Sequence, residues 1–378
     1  MFSEEDLRNR VNKVITSMSE QKLDALVILD DDHWAGGGNV RYLTNCHPLF
    51  TMQPMAMVIT PRDITLCVIP GLANSGVVAA KQQCPWVNVV GSSLGLWGAC
   101  FGKDIKNALD KTKIRGGKVG IDGLGVMSES LSKSIREELK DIHLSEETGI
   151  VERIRMIKDL NEVKAIREAV RLADIGITAF MDSIKSGEPQ YVAISKSENA
   201  SRIAGAEAVL VFMGVGAPWI WGQYPSSRNY KDGDMISVEY NARFQGYWGQ
   251  VNRTCVIGKL TDKQKHIYQL AFDSYKAIES AVRPGVTCSE LYKIGADVVA
   301  KDGFGKPPRQ GHGMGLTIAE GFEIGEEDHT ALNRGYYTMV HTMVTIPEEG
   351  VCASIGNPLL VTDKSHEALS KAEYRIQI

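Results

Sequence analysis

The chain has 378 residues, 43% hydrophobic and 23% charged, with a formal net charge of −4. That composition is globular, and the length suggests two domains, because single cores rarely grow past about 250–300 residues. Slight acidity without a basic block argues against nucleic acid as a partner, and no run of about 18 apolar residues offers a membrane span.

The start, MFSEEDLRNR, is acidic and polar where a secretory leader is basic and then apolar. The seven cysteines are scattered with no C-x-x-C spacing, which fits reduced thiols and a cytoplasmic protein. Leu7, Val11, Val14, Ile15 and Met18 recur at helical spacing and predict a helix over 4–19. LDALVILD (23–30) reads as a buried strand, and MAMVITPRDITLCVIP (55–70) as a hairpin turning at Pro61 and Asp63. VNVVG (87–91) and KVGIDG (118–123) are further strands, and 128–140 a further helix. This α/β alternation defines a first domain over 1–152.

Asp159 is placed to cap a long helix, with Glu162 as its capping-box partner. Leu160, Val163, Ile166, Val170, Ala173, Ile177 and Phe180 then mark its apolar face, and Gly187 and Pro189 end it. A second helix covers about 190–205, and two more span 262–282 and 288–301. Strand-rich segments at 208–216, 234–258 and 336–362 are interleaved with them. Helices between antiparallel strand pairs give an α+β class for a second domain over 153–378.

The chemistry gathers in this second domain. A turn at Arg243-Phe244-Gln245-Gly246 would place Glu239 opposite Gln250, close enough for one site to receive both. His341 sits in the apolar strand YYTMVHTMVTI, where a buried imidazole needs a partner. His312 lies between Gly311, Gly313 and Gly315, residues that let backbone approach closely. In PWIWGQYP (218–225), Trp219, Trp221 and Tyr224 are candidates to wall a small ligand.

At this point the residues match a family. RMIKDLNEVKAIREAVRLADIGI (155–177), DGDMISVEY (232–240), GYWGQVNRTCVIG (246–258), GHGMGL (311–316) and LLVT (359–362) together resemble the pita-bread hydrolases. These include aminopeptidase P, prolidase, methionine aminopeptidase and creatinase, the peptidase M24 group. NVRYLTN (39–45) resembles a segment of the prolidase and creatinase N-terminal domain. The resemblance implies a pseudo-symmetric C-terminal domain in which two Asp, one His and two Glu hold two metal ions. Those positions fall here on Glu239, Gln250, His312, His341 and Gly356.

Four carboxylates are thereby reduced to one, which argues against a two-metal mechanism. The resemblance to the metal-free creatinase branch then implies a metal-independent hydrolase with no cofactor, cleaving a C–N bond of a small polar metabolite. The bond would be an amide, an amidine or a guanidino-type bond. His312 and His341 would move protons and Glu239 would assist catalysis. Gln250, Gln223, Trp219, Trp221, Tyr224 and Glu320 would bind substrate. The creatinase histidine would fall at Gly222 or Gln223 and is absent; the peptidases' second substrate-side histidine falls on Ala319, beside Glu320. The same resemblance implies a homodimer whose partner N-terminal domain closes the site, with His33, Trp34 and Arg41 as residues that reach across. Three alternatives stay open: one divalent metal ion held by Glu239, His312 and His341, a lyase on the same scaffold, and a non-catalytic peptide-binding module.

Overall fold

The computed structural model describes residues 2–31, 37–47, 53–92, 101–114, 117–146, 148–223 and 225–378. The chain divides into two units, residues 1–155 and 156–378.

The first unit is built on six strands: β1 (Ala25–Asp30), β2 (Met55–Ile59), β3 (Ile64–Val68), β4 (Asn88–Gly91), β5 (Lys118–Asp122) and β6 (His143–Glu146). They form one mixed sheet in the order β4-β3-β2-β1-β5-β6. The β1-β2 and β2-β3 pairs are antiparallel and the outer pairs parallel. Its helices are α1 (Glu4–Glu20), α2 (Asn39–Thr44), α3 (Ser75–Gln83), α4 (Phe101–Lys111), α5 (Glu129–Glu138) and α6 (Ile150–Arg155). α1 starts where sequence places it because Ser3 and Asp6 close a reciprocal capping box, satisfying two orphan amides. α2 has no side-chain cap of its own. The Asp30 carboxylate at the end of β1 substitutes for one, accepting from Gly38 N at 2.8 Å and Val40 N at 2.7 Å. Phe101, Ile105 and Leu109 of α4 and Leu131 and Ile135 of α5 bury their side chains against the sheet.

The second unit contains α7 (Leu160–Ser183), α8 (Gln190–Ile203), β7 (Ala208–Val215), β8 (Met235–Phe244), β9 (Tyr247–Val256), α9 (Asp262–Ala281) and α10 (Cys288–Lys301). Four more strands follow: β10 (Gly311–Gly313), β11 (Tyr337–Ile346), β12 (Val351–Val361) and β13 (His366–Ala368). The sheet runs β10-β11-β12-β9-β8-β7, with β13 on β12. Every pairing is antiparallel.

Period-two alternation gives this sheet two different faces. Ile236, Val238, Tyr240 and Ala242 of β8 with Val251 and Cys255 of β9 bury under α7 and α8. Val340 and Val344 of β11 with Ala353 and Ile355 of β12 bury under α9 and α10. The intervening residues, Glu239, Asn241, Gln250, Asn252 and His341 among them, must face the other way. One face is thus a hydrocarbon floor under two helix pairs; the other carries the polar groups.

Two local expectations change. The β8-β9 hairpin closes over Gln245-Gly246 alone, with φ of 47° and 87°, as a two-residue turn of the I′ kind that matches strand twist. Glu239 therefore pairs with Asn252, and Gln250 with Asn241. This slip of two residues preserves the face of every side chain, where a slip of one would have inverted it. Leu160 is 81% exposed. As the first residue of α7 it precedes the buried stripe, which runs from Glu162 to Met181.

Candidate active site

The hydrogen-bond register puts His341, Gly356, Asn252, Glu239 and Phe212 in one row across β11, β12, β9, β8 and β7. His312 on β10 pairs with Met339, two residues from His341 and on the same face. The two imidazoles meet edge to face with ring centroids 5.3 Å apart. Beside the row lies a cavity of about 500 Å³. Glu239, Asn252, His341, Trp221, Lys306 and Arg309 give it its polar and aromatic lining, and Phe304, Pro307, Pro308 and Val344 its apolar walls.

The amides around Glu239 are polarised in one sense. Asn241 Nδ2 donates to Glu239 Oε1 at 3.2 Å and to the Leu210 carbonyl at 3.1 Å. Gln250 Nε2 donates to Asn252 Oδ1, and Asn252 Nδ2 to Ser354 Oγ, each at 3.1 Å. Donors are thereby consumed, and the buried oxygens Asn241 Oδ1 and Gln250 Oε1 have no hydrogen-bond partner among the described residues; neither does His341 Nε2. Burial pushes the Glu239 carboxyl up to about 6, against the pull of the Asn241 and Asn252 hydrogen bonds and the Arg309 charge. Burial and Arg309 push the His312 imidazole down to about 4, while backbone contacts with Gly313 and Ile318 pull it up. His341 is held well below the usual imidazole range by burial, then by His312 and Arg309. Both rings are neutral at pH 7, with nitrogen lone pairs able to accept a proton or bind a cation.

The structure gathers some of the expected residues and disperses others. Glu239, His341 and Trp221 line the cavity. His312 sits behind it, 2% exposed, against His341. Gln250 is fully buried beneath Asn252 and reaches the site only through that amide. Trp219 packs against Trp221 and over Gly214 as part of the support for that wall. Gln223 is a bridge residue whose backbone N–H donates to the Met213 carbonyl. Glu320 does not face the cleft: its carboxylate is bound by Lys158, whose side chain is 2% exposed, and by the Thr317 hydroxyl. Arg41 is buried in α2, and its 7% exposure leaves little side chain to present to a second subunit. Tyr224, His33 and Trp34 lie outside the described residues. Sequence reasoning missed Asn252, displaced by the hairpin register, and Arg309, although it stands three residues before His312 in the same glycine-rich segment.

A model described as the Creatinase/Prolidase N-terminal domain matches residues 10–157, and the model of Metallopeptidase family M24 matches residues 164–363. With its mixed N-terminal sheet and its antiparallel sheet under two helix pairs, the chain is a two-domain pita-bread protein and belongs to metallopeptidase family M24. It is 26% identical over 377 residues to an Xaa-Pro dipeptidase of Pyrococcus horikoshii, covering 97% of this chain and 98% of that protein. An Xaa-Pro dipeptidase of Pyrococcus furiosus is also 26% identical, with 97% and 99% covered. The crystal structure of the prolidase from Pyrococcus horikoshii superposes with a TM-score of 0.81 at 23% identity, covering 97% of this chain and 99% of that one.

These findings correct the expected chemistry. A metallopeptidase family and full-length relatives named as dipeptidases overturn the metal-independent, creatinase-like cleavage of a metabolite C–N bond. They likewise overturn the expectation of no cofactor and point to a divalent metal ion. What stands is a hydrolase.

The donor set fits two ions badly. Two dications need bridging carboxylates, and Gln250 is a neutral amide while Gly356 has no side chain. Nor is there room for one: a Cβ at position 356 would lie 2.5 Å from both His341 Cβ and the Val340 carbonyl oxygen. Among the described residues, no three His, Cys, Asp or Glu side chains group to hold a metal. Glu239 and His341 both line the cavity from strands three apart in the row, and Glu239 does not group with the two histidines to hold a metal. Two neutral imidazoles 5.3 Å apart, with His341 Nε2 unpartnered among the described residues, are the nearest the site comes to holding a single ion, and supply two of the three protein ligands a catalytic zinc site uses.

Proposed function

We propose that the chain is a metal-dependent hydrolase of small peptides that works with one divalent ion, held by His312 and His341. The observation that carries this is the edge-to-face imidazole pair beside a cavity displaying the Glu239 carboxylate. The full-length likeness to Xaa-Pro dipeptidases makes Xaa-Pro dipeptides the first substrates to try. When bound, the ion would supply Lewis-acid polarisation of the scissile carbonyl.

The protein's own groups do the rest. Glu239 Oε accepts a proton from water in the cavity and returns it to the leaving nitrogen. Asn241 holds the carboxylate in place by donating to it. Trp221 and the proline-lined wall exclude solvent from the apolar part of the substrate. The homodimer common to such enzymes is part of the same proposal.

The test is release of free amino acid from a panel of Xaa-Pro dipeptides by purified protein. Activity should vanish with a chelator, return with Mn²⁺, Co²⁺ or Zn²⁺, and fall at least about 100-fold in His341→Ala, in keeping with loss of a group acting at the reacting centre. Cleavage that survives both chelator and His341→Ala would refute the assignment.

A further inference from the structure

The working groups of the site lie on opposite sides of a seam in the sheet. His312 and His341 belong to β10-β11-β12, and Glu239 to β7-β8-β9. The β8-β9 and β11-β12 pairs run along nearly their whole lengths, whereas β9 and β12 share the single register pair Asn252–Gly356. Each half rests mainly on its own helix pair. Side chains join the halves where the backbone ladder does not. Ser237 Oγ donates to the Cys352 carbonyl at 2.7 Å and Thr254 Oγ1 to the Ser354 carbonyl at 3.0 Å, while Ser354 N donates to Thr254 Oγ1 at 2.8 Å.

Arg253 closes the seam at the polar row. Its side chain alternates to the face opposite that of Asn252 and is 1% exposed. Nη1 donates to the Asn252 carbonyl at 2.9 Å and to the Gly356 carbonyl at 3.0 Å, one from each side of the seam. The C-terminal segment holds the rest of the guanidinium. Nη2 donates to Ala372 O at 2.6 Å and Nε to Glu373 O at 3.2 Å, and the Tyr374 ring lies 4.2 Å from Cζ. None of these acceptors is a carboxylate. A buried cation without one in contact is a costly way to join two strands, but a planar fork of donors can reach three stretches of chain at once. The C-terminal segment is itself tied down. Ser370 Oγ and Lys371 N donate to the Asp174 carboxylate of α7 at 2.6 and 2.7 Å. Tyr374 Oη accepts from Asn357 Nδ2 at 2.6 Å, and Val256 N donates to Ile376 O at 2.7 Å.

We infer that Arg253 is a positioning residue and residues 370–378 the strap that holds it: together they set the separation of Glu239 from the His312–His341 pair. The inference rests on the reading of those groups as one site, but hydrogen exchange tests it apart from catalysis. In Arg253→Ala, Ser354 N should exchange at least about 10-fold faster than in the wild type, while amides paired within β8-β9 and within β11-β12 keep their protection. Both imidazoles lie on one side of the seam, so the metal content per chain should not change. Where Xaa-Pro dipeptides are cleaved, kcat should fall about 10- to 100-fold, the scale of an ångström of misplacement, with KM little changed. Added guanidinium ion should restore part of the protection and of kcat, and sodium at equal ionic strength should not.

Tyr374→Leu, at a position 37% exposed, should show the same pattern to a smaller degree and decides the matter if Arg253→Ala does not fold. In a folded variant, wild-type exchange at Ser354, protection lost evenly across the sheet, or metal lost together with kcat overturns the inference. Local opening of the seam in a protein that cleaves no dipeptide would uphold the strap and remove the hydrolase reading.

Discussion

Gly356 shows how a single position constrains what the site can hold. It pairs with His341 on one side and Asn252 on the other, in the middle of the polar row. The His341 side chain and the Val340 carbonyl occupy the space a Cβ would need. Gly356→Ala is therefore expected to destabilise the fold by about 1–3 kcal/mol, the usual cost of overpacking. Equilibrium denaturation measures this, and an unchanged midpoint would mean that the strands yield more easily than their spacing implies. A second carboxylate cannot enter at 356 without displacing His341. Gln250→Asp alone should accordingly leave the metal content at about one ion, whereas a rise to two would show that bridging is still possible. Of this row, Glu239, Gly356 and His341 were matched in the sequence through a resemblance, whereas Asn252 and Phe212 were not. Residue spacing proposed Glu239 facing Gln250, and nothing in composition pointed to Arg309. Its place in the cavity lining follows from the ladder that turns residues 310–313 back on 322–324, a pairing that no local pattern encodes.

At the scale of elements, local signals performed well where a local interaction decides the outcome. α7 begins after Asp159, whose carboxylate accepts from Asn161 N and Glu162 N at 2.8 Å each. Asp159→Ala should cost about 1 kcal/mol, read as a lower thermal midpoint with the fold retained. Local signals failed where two solutions differ only in register. The β8-β9 segment admits turns two residues apart, and Gln245-Gly246 closes it because both residues take positive φ. Glu320 is a case of tertiary override. Its place after the glycine-rich segment suggested a substrate contact, but the buried Lys158 ammonium binds it. That pair clamps the loop following His312 to the segment before α7. Glu320→Gln, which takes the carboxylate away from a buried ammonium, should lose up to about 3–5 kcal/mol of stability. A loss below about 1 kcal/mol would place the pair among ordinary surface bridges.

At the scale of the molecule, the α+β class and the two-domain organisation were readable from alternating helix and strand patterns, because each unit has its own sheet and its own core. The chemistry was not readable in the same way. Counting lost carboxylates led toward a metal-free enzyme, whereas the family and its full-length relatives point to a metal ion. A count of residue types registers what a site has lost; the placing of His341 against His312 shows what it has retained. No helix among the described residues is long and apolar enough to cross a membrane. The central claim is a hydrolase with one ion on two imidazoles, and metal stoichiometry tests it most directly. Protein stripped with chelator, reloaded with Mn²⁺, Co²⁺ or Zn²⁺ and freed of excess should carry about one ion per chain by elemental analysis, falling to background in the His312→Ala, His341→Ala double variant. Two ions per chain, or one ion retained in the double variant, would contradict it.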